Sequence, residues 1–397
     1  MFGKKLLLGH DRSPLRSLNY RLDRRLTRAV AGRRSVASLY LPDGADAQLS
    51  ATLDKRKAAT GPFGRHRPQI RAICGKIVTF VPPIARILRE KSHVNSSWRA
   101  EYPFSSHFLN VSGGRLHYLD EGPRSADADA PTLLCVHGNP TWSFYWRKIA
   151  VAFRDQVRVV VPDHLGCGLS DKPQDYSYRL ADHIGNLERL IESLDLRNIT
   201  LLAHDWGGAI GLGAAGRLPE RFRRLMLFNT AAYRSTRCPW RIRVCRLPLL
   251  GALGVRGLNL FSLAALKMAT EKPERFTAAV QTGYVAPYDS YAHRIAVHRF
   301  VQDIPLAADH PSYETLHEVE RRLTSLAHLP VQLIWGMKDW CFTPHFLERF
   351  REFFPAAEIH RFDDCGHYVV EDAIERILPI VAAGLPTATP AVSSRNR

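Results

Sequence analysis

The sequence predicts an α/β protein: a mainly parallel sheet with helices on both faces, entered by a hairpin and interrupted by one long helical insertion. Two observations carry this prediction. From about residue 104 onward, short apolar, β-branched runs alternate with helical stretches, the pattern of strands buried on both faces. Residues 234–328, between two of those runs, show no strand alternation. A crossover needs only about a dozen residues, so this segment is a module in its own right.

Taken in order, His107–Val111 and Arg115–Leu119 read as two strands across the turn Ser112-Gly113-Gly114. Buried strands follow at Leu133–Val136, Val157–Val161, Ile199–Ala203, Leu225–Phe228 and Val331–Trp335, with helices expected over Tyr178–Leu194 and Trp206–Leu218. The insertion is rich in Arg, Leu and aromatic residues and reads as a helical lid over the C-terminal edge of the sheet. The expected division is a basic, largely disordered extension over 1–100, core over 101–233, cap over 234–328, core again over 329–384 and a disordered tail over 385–397.

The formal net charge is +17, but it is unevenly placed. Residues 1–100 hold 21 basic and 6 acidic side chains, a net +15, whereas residues 101–397 come to +2. That distribution excludes a nucleic-acid binder built on the whole chain, and no specific nucleic acid is expected as a partner. Within the extension, Leu15–Val30 is compatible with a basic amphipathic helix, and the apolar stretch Ile77–Leu88 is broken by Pro82 and Pro83. Three readings stand for it: a solvated extension, an arm for anionic lipid or nucleic acid, and a transit-like targeting segment.

The seven cysteines, Cys74, Cys135, Cys167, Cys238, Cys245, Cys341 and Cys365, form no C-x-x-C pair. Reduced thiols in a cytosolic protein are the expectation. No apolar run approaches the roughly 18 residues of a membrane span, and the apolar stretch after Met1 is too short for a secretory signal. A cytoplasmic enzyme is expected, with peripheral membrane association through the extension as the added alternative.

The chemistry gathers at strand ends. In Ile199-Thr-Leu-Leu-Ala-His-Asp-Trp-Gly-Gly-Ala209 a strand runs straight into a helix, with Ala203 and Gly207 flanking His204-Asp205-Trp206. This is the small-x-nucleophile-x-small elbow, whose tight turn needs small neighbours to project the central side chain. Asp205 stands where many such elbows carry Ser. A carboxylate is ionised at pH 7 and can attack an electrophilic carbon directly, forming an ester; a bare N-cap role is the alternative for the same residue. Asp339 follows the Val331–Trp335 strand, and His367 follows the apolar run around Ile359. The order nucleophile, acid, histidine is the one this architecture requires. His367 would activate water, and Asp339 would fix its tautomer. Asp363 and Asp364 are rival acids too near His367 in sequence to reach it from a separate loop. In the loop His137-Gly-Asn-Pro-Thr-Trp142, Asn139 supplies one backbone N–H of the oxyanion hole and Trp206 the other. Their side-chain N–H groups suit a departing halide or another leaving anion.

His137-Gly-Asn-Pro140, Pro162-Asp-His-Leu-Gly-Cys-Gly-Leu-Ser-Asp171, His204-Asp-Trp-Gly207 and Gly366-His367 together resemble the α/β-hydrolase superfamily, specifically its haloalkane dehalogenase branch. The resemblance covers about residues 101–384. It implies the α/β-hydrolase fold: a mostly parallel eight-stranded sheet, helices on both faces and an inserted helical cap. It also implies Asp205 as nucleophile, His367 as base and Asn139 with Trp206 as the halide-stabilising pair, with no cofactor and no metal. Part of that family places a Glu after the strand before the lid; Asn229-Thr-Ala-Ala232 offers no carboxylate, so the resemblance points to the subgroup with Asp339 as acid. That subgroup lies close to the β-lactone decarboxylases of bacterial long-chain olefin synthesis.

The leading expectation is therefore a hydrolase cleaving a carbon–halogen bond to alcohol and halide, acting on a small hydrophobic substrate. The alternative keeps Asp205 as nucleophile but opens a long-chain β-lactone to alkene and carbon dioxide. An epoxide hydrolase is third; it would need lid tyrosines, for which Tyr284, Tyr288 and Tyr291 are available, but Asn139 stands where such enzymes place an aromatic. Fluoroacetate chemistry fits less well, because Asp163-His-Leu-Gly166 lacks arginines for a carboxylate. A recruited, non-enzymatic fold would predict a broken triad, and all three members are present.

Overall fold

The computed structural model describes residues 96–124 and 130–385. Nearly all of the basic extension, including its expected helix and apolar stretch, and all but the first residue of the expected tail lie outside the described residues. The eight strands are β1 His107–Val111, β2 Gly114–Glu121, β3 Thr132–Val136, β4 Arg158–Pro162, β5 Ile199–Asp205, β6 Phe222–Thr230, β7 Val331–Gly336 and β8 Glu358–Phe362. They form a sheet in the order β1-β2-β4-β3-β5-β6-β7-β8. The β1–β2 and β2–β4 pairings are antiparallel. All the others are parallel.

Helices occupy the connections: α1 Arg147–Phe153, α2 Leu180–Ser193, α3 Trp206–Arg217, α4 Trp240–Cys245, α5 Leu260–Met268, α6 Ala278–Val285, α7 Ile295–Gln302, α8 Tyr313–Arg322, α9 Pro344–Phe353, α10 Val369–Asp372 and α11 Ile374–Ala383. Every residue of β3, β5 and β7 is buried, because strand residues alternate between two faces and both faces are covered. Leu134, Val136, Leu201, Ala203 and Leu227 join Ile184 and Leu187 of α2, Ile210 of α3 and Val319 of α8 in one core. The alternate residue Phe228 turns the other way, its ring meeting Trp146 at 5.3 Å. Each fully buried Leu or Val contributes about 1.5–3 kcal/mol.

The stretch between β6 and β7 carries α4 to α8 and short single-turn helices, with no strand among the described residues. Residues 96–101 form a 3₁₀ turn, and Trp98 is buried, meeting Trp142 edge-on at 5.7 Å. The described residues just before the expected boundary at 101 thus pack against the core through one large aromatic, a contact that local charge composition does not reveal. No described helix is long and apolar enough to cross a membrane.

Candidate active site

Asp205 ends β5 and precedes the first residue of α3, with φ 53° and ψ −127°. This positive-φ backbone is strained for a residue with a Cβ. It is tolerated because the neighbours are small: a Cβ on Gly207 would run into the Val136 carbonyl, and one on Gly138 into Asp205 itself. The expected elbow is thus crowded around Asp205, by the Val136 carbonyl at Gly207 and by the Asp205 side chain itself at Gly138.

The Asp205 carboxylate is buried. Its Oδ1 accepts the backbone N–H of Asn139 at 2.6 Å, and the backbone N–H of Trp206 also donates to the carboxylate. Both N–H groups expected of an oxyanion hole therefore face Asp205. Burial pushes its pKa up from the ordinary carboxylate range; His367 and these two donors pull against that without cancelling it.

His367, on the turn after β8, places Nε2 3.8 Å from Asp205 Oδ2. That is too long for a hydrogen bond, so Nε2 is left to act on a third party. On its other side, Nδ1 lies 2.8 Å from Asp339 Oδ2. Burial would lower the pKa of His367, but the Asp339 carboxylate outweighs it and the net direction is upward. Phe342 stacks on the imidazole at 5.6 Å with 20° between the planes. The rival acids are engaged elsewhere or face solvent: Asp364 pairs with Lys272 at 2.9 Å and Arg376 at 2.8 Å, and Asp363 is exposed.

Three supporting residues were not singled out from the sequence. Asn229, at the end of β6, donates through Nδ2 to Asp339 Oδ2 at 3.0 Å, while its Oδ1 accepts the N–H of Gly336 at 2.8 Å. The position noted only for lacking a carboxylate thus carries the amide that holds one. Cys341 donates its backbone N–H to the other Asp339 oxygen at 2.6 Å. His204 bonds the His367 carbonyl through Nε2 at 2.9 Å and stacks on Tyr145 at 4.4 Å. Burial, aided by His367, holds His204 well below the usual imidazole pKa, so it stays neutral and is a donor there. Only a polar residue at a strand end hinted at any of these.

The loop after β3 is held in turn by Asp163, whose carboxylate accepts from Ser143 N at 2.6 Å and Leu169 N at 2.8 Å, and lies 2.8 Å from His117 Nδ1. The Pro162–Asp171 motif therefore supports the site without entering it.

The side chains of the expected leaving-group pair are arranged differently from each other. Asn139 Nδ2 donates to the Val297 carbonyl of α7 at 3.0 Å, which ties the insertion to the loop after β3 and leaves the amide its second proton. The half-buried Trp206 ring meets Phe300 of α7 at 5.3 Å, and its indole N–H has no protein acceptor among the described residues. The lid tyrosines look elsewhere: Tyr284 bonds Glu371 at 2.7 Å, Tyr288 donates to the Thr141 carbonyl at 3.2 Å, and Tyr291 lies on the surface against Arg256. Among the described residues no cluster of His, Cys, Asp or Glu is suited to a metal.

A sequence model of the alpha/beta hydrolase fold matches residues 131–243 and 261–374, which spans the elbow, Asp339 and His367. The chain belongs to the α/β hydrolase family. It is an enzyme of the branch that holds haloalkane dehalogenases and β-lactone decarboxylases. Over 282 residues it is 43% identical to a cis-3-alkyl-4-alkyloxetan-2-one decarboxylase of Shewanella oneidensis, covering 70% of this chain and 86% of that one. Over 279 residues it is 35% identical to haloalkane dehalogenase 2 of Mycobacterium tuberculosis, covering 70% and 93%. The crystal structure of haloalkane dehalogenase DbeA from Bradyrhizobium elkani superposes with a TM-score of 0.64 at 27% identity, covering 71% and 97%.

Proposed function

We propose that this α/β hydrolase opens cis-3,4-dialkyl β-lactones, with Asp205 as nucleophile, and releases an alkene and carbon dioxide. The observation that carries this reading is the 43% identity to a decarboxylase, against 35% to a dehalogenase, over nearly equal lengths. Asp205 Oδ1 is held by the Asn139 N–H, so Oδ2 is the oxygen to attack the ring carbon that bears the alkoxy oxygen. That C–O bond breaks, and the freed carboxylate lies toward the Asn139 amide and Trp206 indole donors. The bond to the carboxyl carbon then breaks, and its electrons form the C=C bond as Asp205 departs. Carbon dioxide leaves, and Asp205 is regenerated with no water consumed.

Hydrolytic dehalogenation is the second reading, favoured by the superposition on DbeA and by the same pair of neutral donors. There the Asp205 ester is cleaved by water activated at His367 Nε2, with Asp339 stabilising the imidazolium. The epoxide reading loses support because Tyr284 and Tyr288 spend their hydroxyls on Glu371 and the Thr141 carbonyl.

The test compares alkene release from a cis-dialkyl β-lactone with bromide release from 1-bromobutane, using the full chain. Faster alkene release, lost by roughly 10⁴-fold or more in Asp205→Ala, is the expected result. Faster bromide release would reverse the order of the two readings, and an active Asp205→Ala enzyme would remove the nucleophile. The net +15 of residues 1–100 supports an electrostatic attraction of the extension to an anionic membrane surface.

A further inference from the structure

The outward face of the insertion between Arg237 and Leu258 inverts the usual order of a surface helix. Along α4 and its C-cap the inner side is Ile242, which is buried, and Arg246, whose guanidinium donates to the Val301 and Ile304 carbonyls at 2.9 and 2.7 Å. The outer side is Trp240, Val244 and Leu247, four and three residues apart, at 69%, 44% and 46% exposure. That spacing places them in one stripe. Leu249 and Leu250 continue it at 85% and 62%. Leu249 is held at φ 61°, a left-handed backbone that a branched residue adopts only under constraint.

The charge around this stripe has one sign. From Arg234 to Thr270 the sequence has seven cations and no carboxylate. Arg237, Arg241 and Arg243 are exposed, and among the described residues none of the three pairs with a carboxylate. Arg243 donates to the Cys238 and Thr236 carbonyls. The Arg241 guanidinium lies over the Trp240 ring at 5.5 Å and the Trp340 ring at 5.4 Å. Trp340 follows Asp339 directly, so the patch abuts the loop that carries the triad acid.

From this geometry we propose that residues 237–258 form a docking face for an anionic phospholipid bilayer, inserting Trp240, Leu249 and Leu250 among the acyl chains beneath the headgroups. An apolar ridge rimmed by cations is the arrangement of an interfacial helix, with Trp at headgroup depth and Arg against the phosphates. A second copy of the chain fits poorly, since pairing this face with itself brings like charges together. The proposal stands on this surface alone and is independent of which substrate the site takes. It also differs from the attraction assigned to the extension, because it requires apolar insertion at a named face.

The experiment uses the full chain with vesicles of phosphatidylcholine, with and without phosphatidylglycerol. Flotation on the anionic vesicles, with slowed hydrogen–deuterium exchange across 237–258, is expected. Combined Trp240→Ser, Leu249→Ser and Leu250→Ser substitutions should weaken partitioning roughly tenfold or more while leaving the thermal midpoint unchanged. Combined Arg237→Gln, Arg241→Gln and Arg243→Gln should weaken binding to the anionic vesicles. The proposal is overturned if the serine variant floats like the parent, if the chain floats without protection at 237–258, or if that protection arises from self-association without lipid. Should the serine variant misfold, the exchange measurement on the parent chain decides alone.

Discussion

At the residue scale the candidate site holds a carboxylate where burial opposes its charge. The Asp205 pKa is raised by burial, so the folded state binds the proton more tightly than the unfolded chain does. Stability therefore falls as pH rises from the unfolded carboxylate range through the folded value, and at neutral pH the ionised group is a net cost. Asp205→Asn keeps the shape and removes the charge, so it should raise the thermal midpoint while abolishing turnover; an unchanged or lower midpoint would contradict this reading. The His367 pKa moves the other way relative to what burial alone would do, because Asp339 overrides desolvation. In an NMR titration the His367 imidazole should titrate above the usual value of about 6.5. In Asp339→Asn it should titrate lower than in the parent chain, since only Asp205 and Asp372 are then left to oppose burial. Hydrolytic turnover needs the neutral imidazole, so its acid limb should follow the same order. Asn229 gives a subtler lesson: the absence of a carboxylate there was legible, but its hold on Asp339 was not, because that contact joins β6 to the loop after β7 across 110 residues.

At the element scale the strand-to-helix elbow was readable from Ala203 and Gly207 because local sterics dictate it. The joint between insertion and core was not. Glu371 of α10 is fully buried, ion-paired with Arg147 of α1 and with Lys148, and accepts from Tyr284 of α6. Its pKa is lowered even though burial works to raise it, since Arg147 and Lys148 outweigh that effect. Nothing in the local sequence marks a Glu inside Val-Val-Glu-Asp372 as the clasp between three helices. Removing one partner of a buried ion pair strands the others, at a cost of about 3–5 kcal/mol. Glu371→Ala should therefore lower the unfolding free energy measured by urea titration by that amount and loosen α6, read as faster exchange over Ala278–Val285. A loss under about 1 kcal/mol would mean that Arg147 and Tyr284 find substitutes.

For the molecule as a whole, the order of elements and the chain order of Asp205, Asp339 and His367 were carried by the sequence, because burial on both faces writes continuous apolar strands and tight turns demand small residues. The charge of residues 1–100 was equally plain in the composition. The tertiary structure alone decided what lies across long sequence separations. It set the 2.8 Å contact between His367 and Asp339, and the contact that commits one proton of the Asn139 amide to Val297 of α7. It also turned Trp240, Leu249 and Leu250 outward when composition alone would place them in a core. Local propensity and patterning are read along the chain. Which polar atom meets which partner, and which apolar face is left without one, depends on packing between segments that the chain brings together only when it folds.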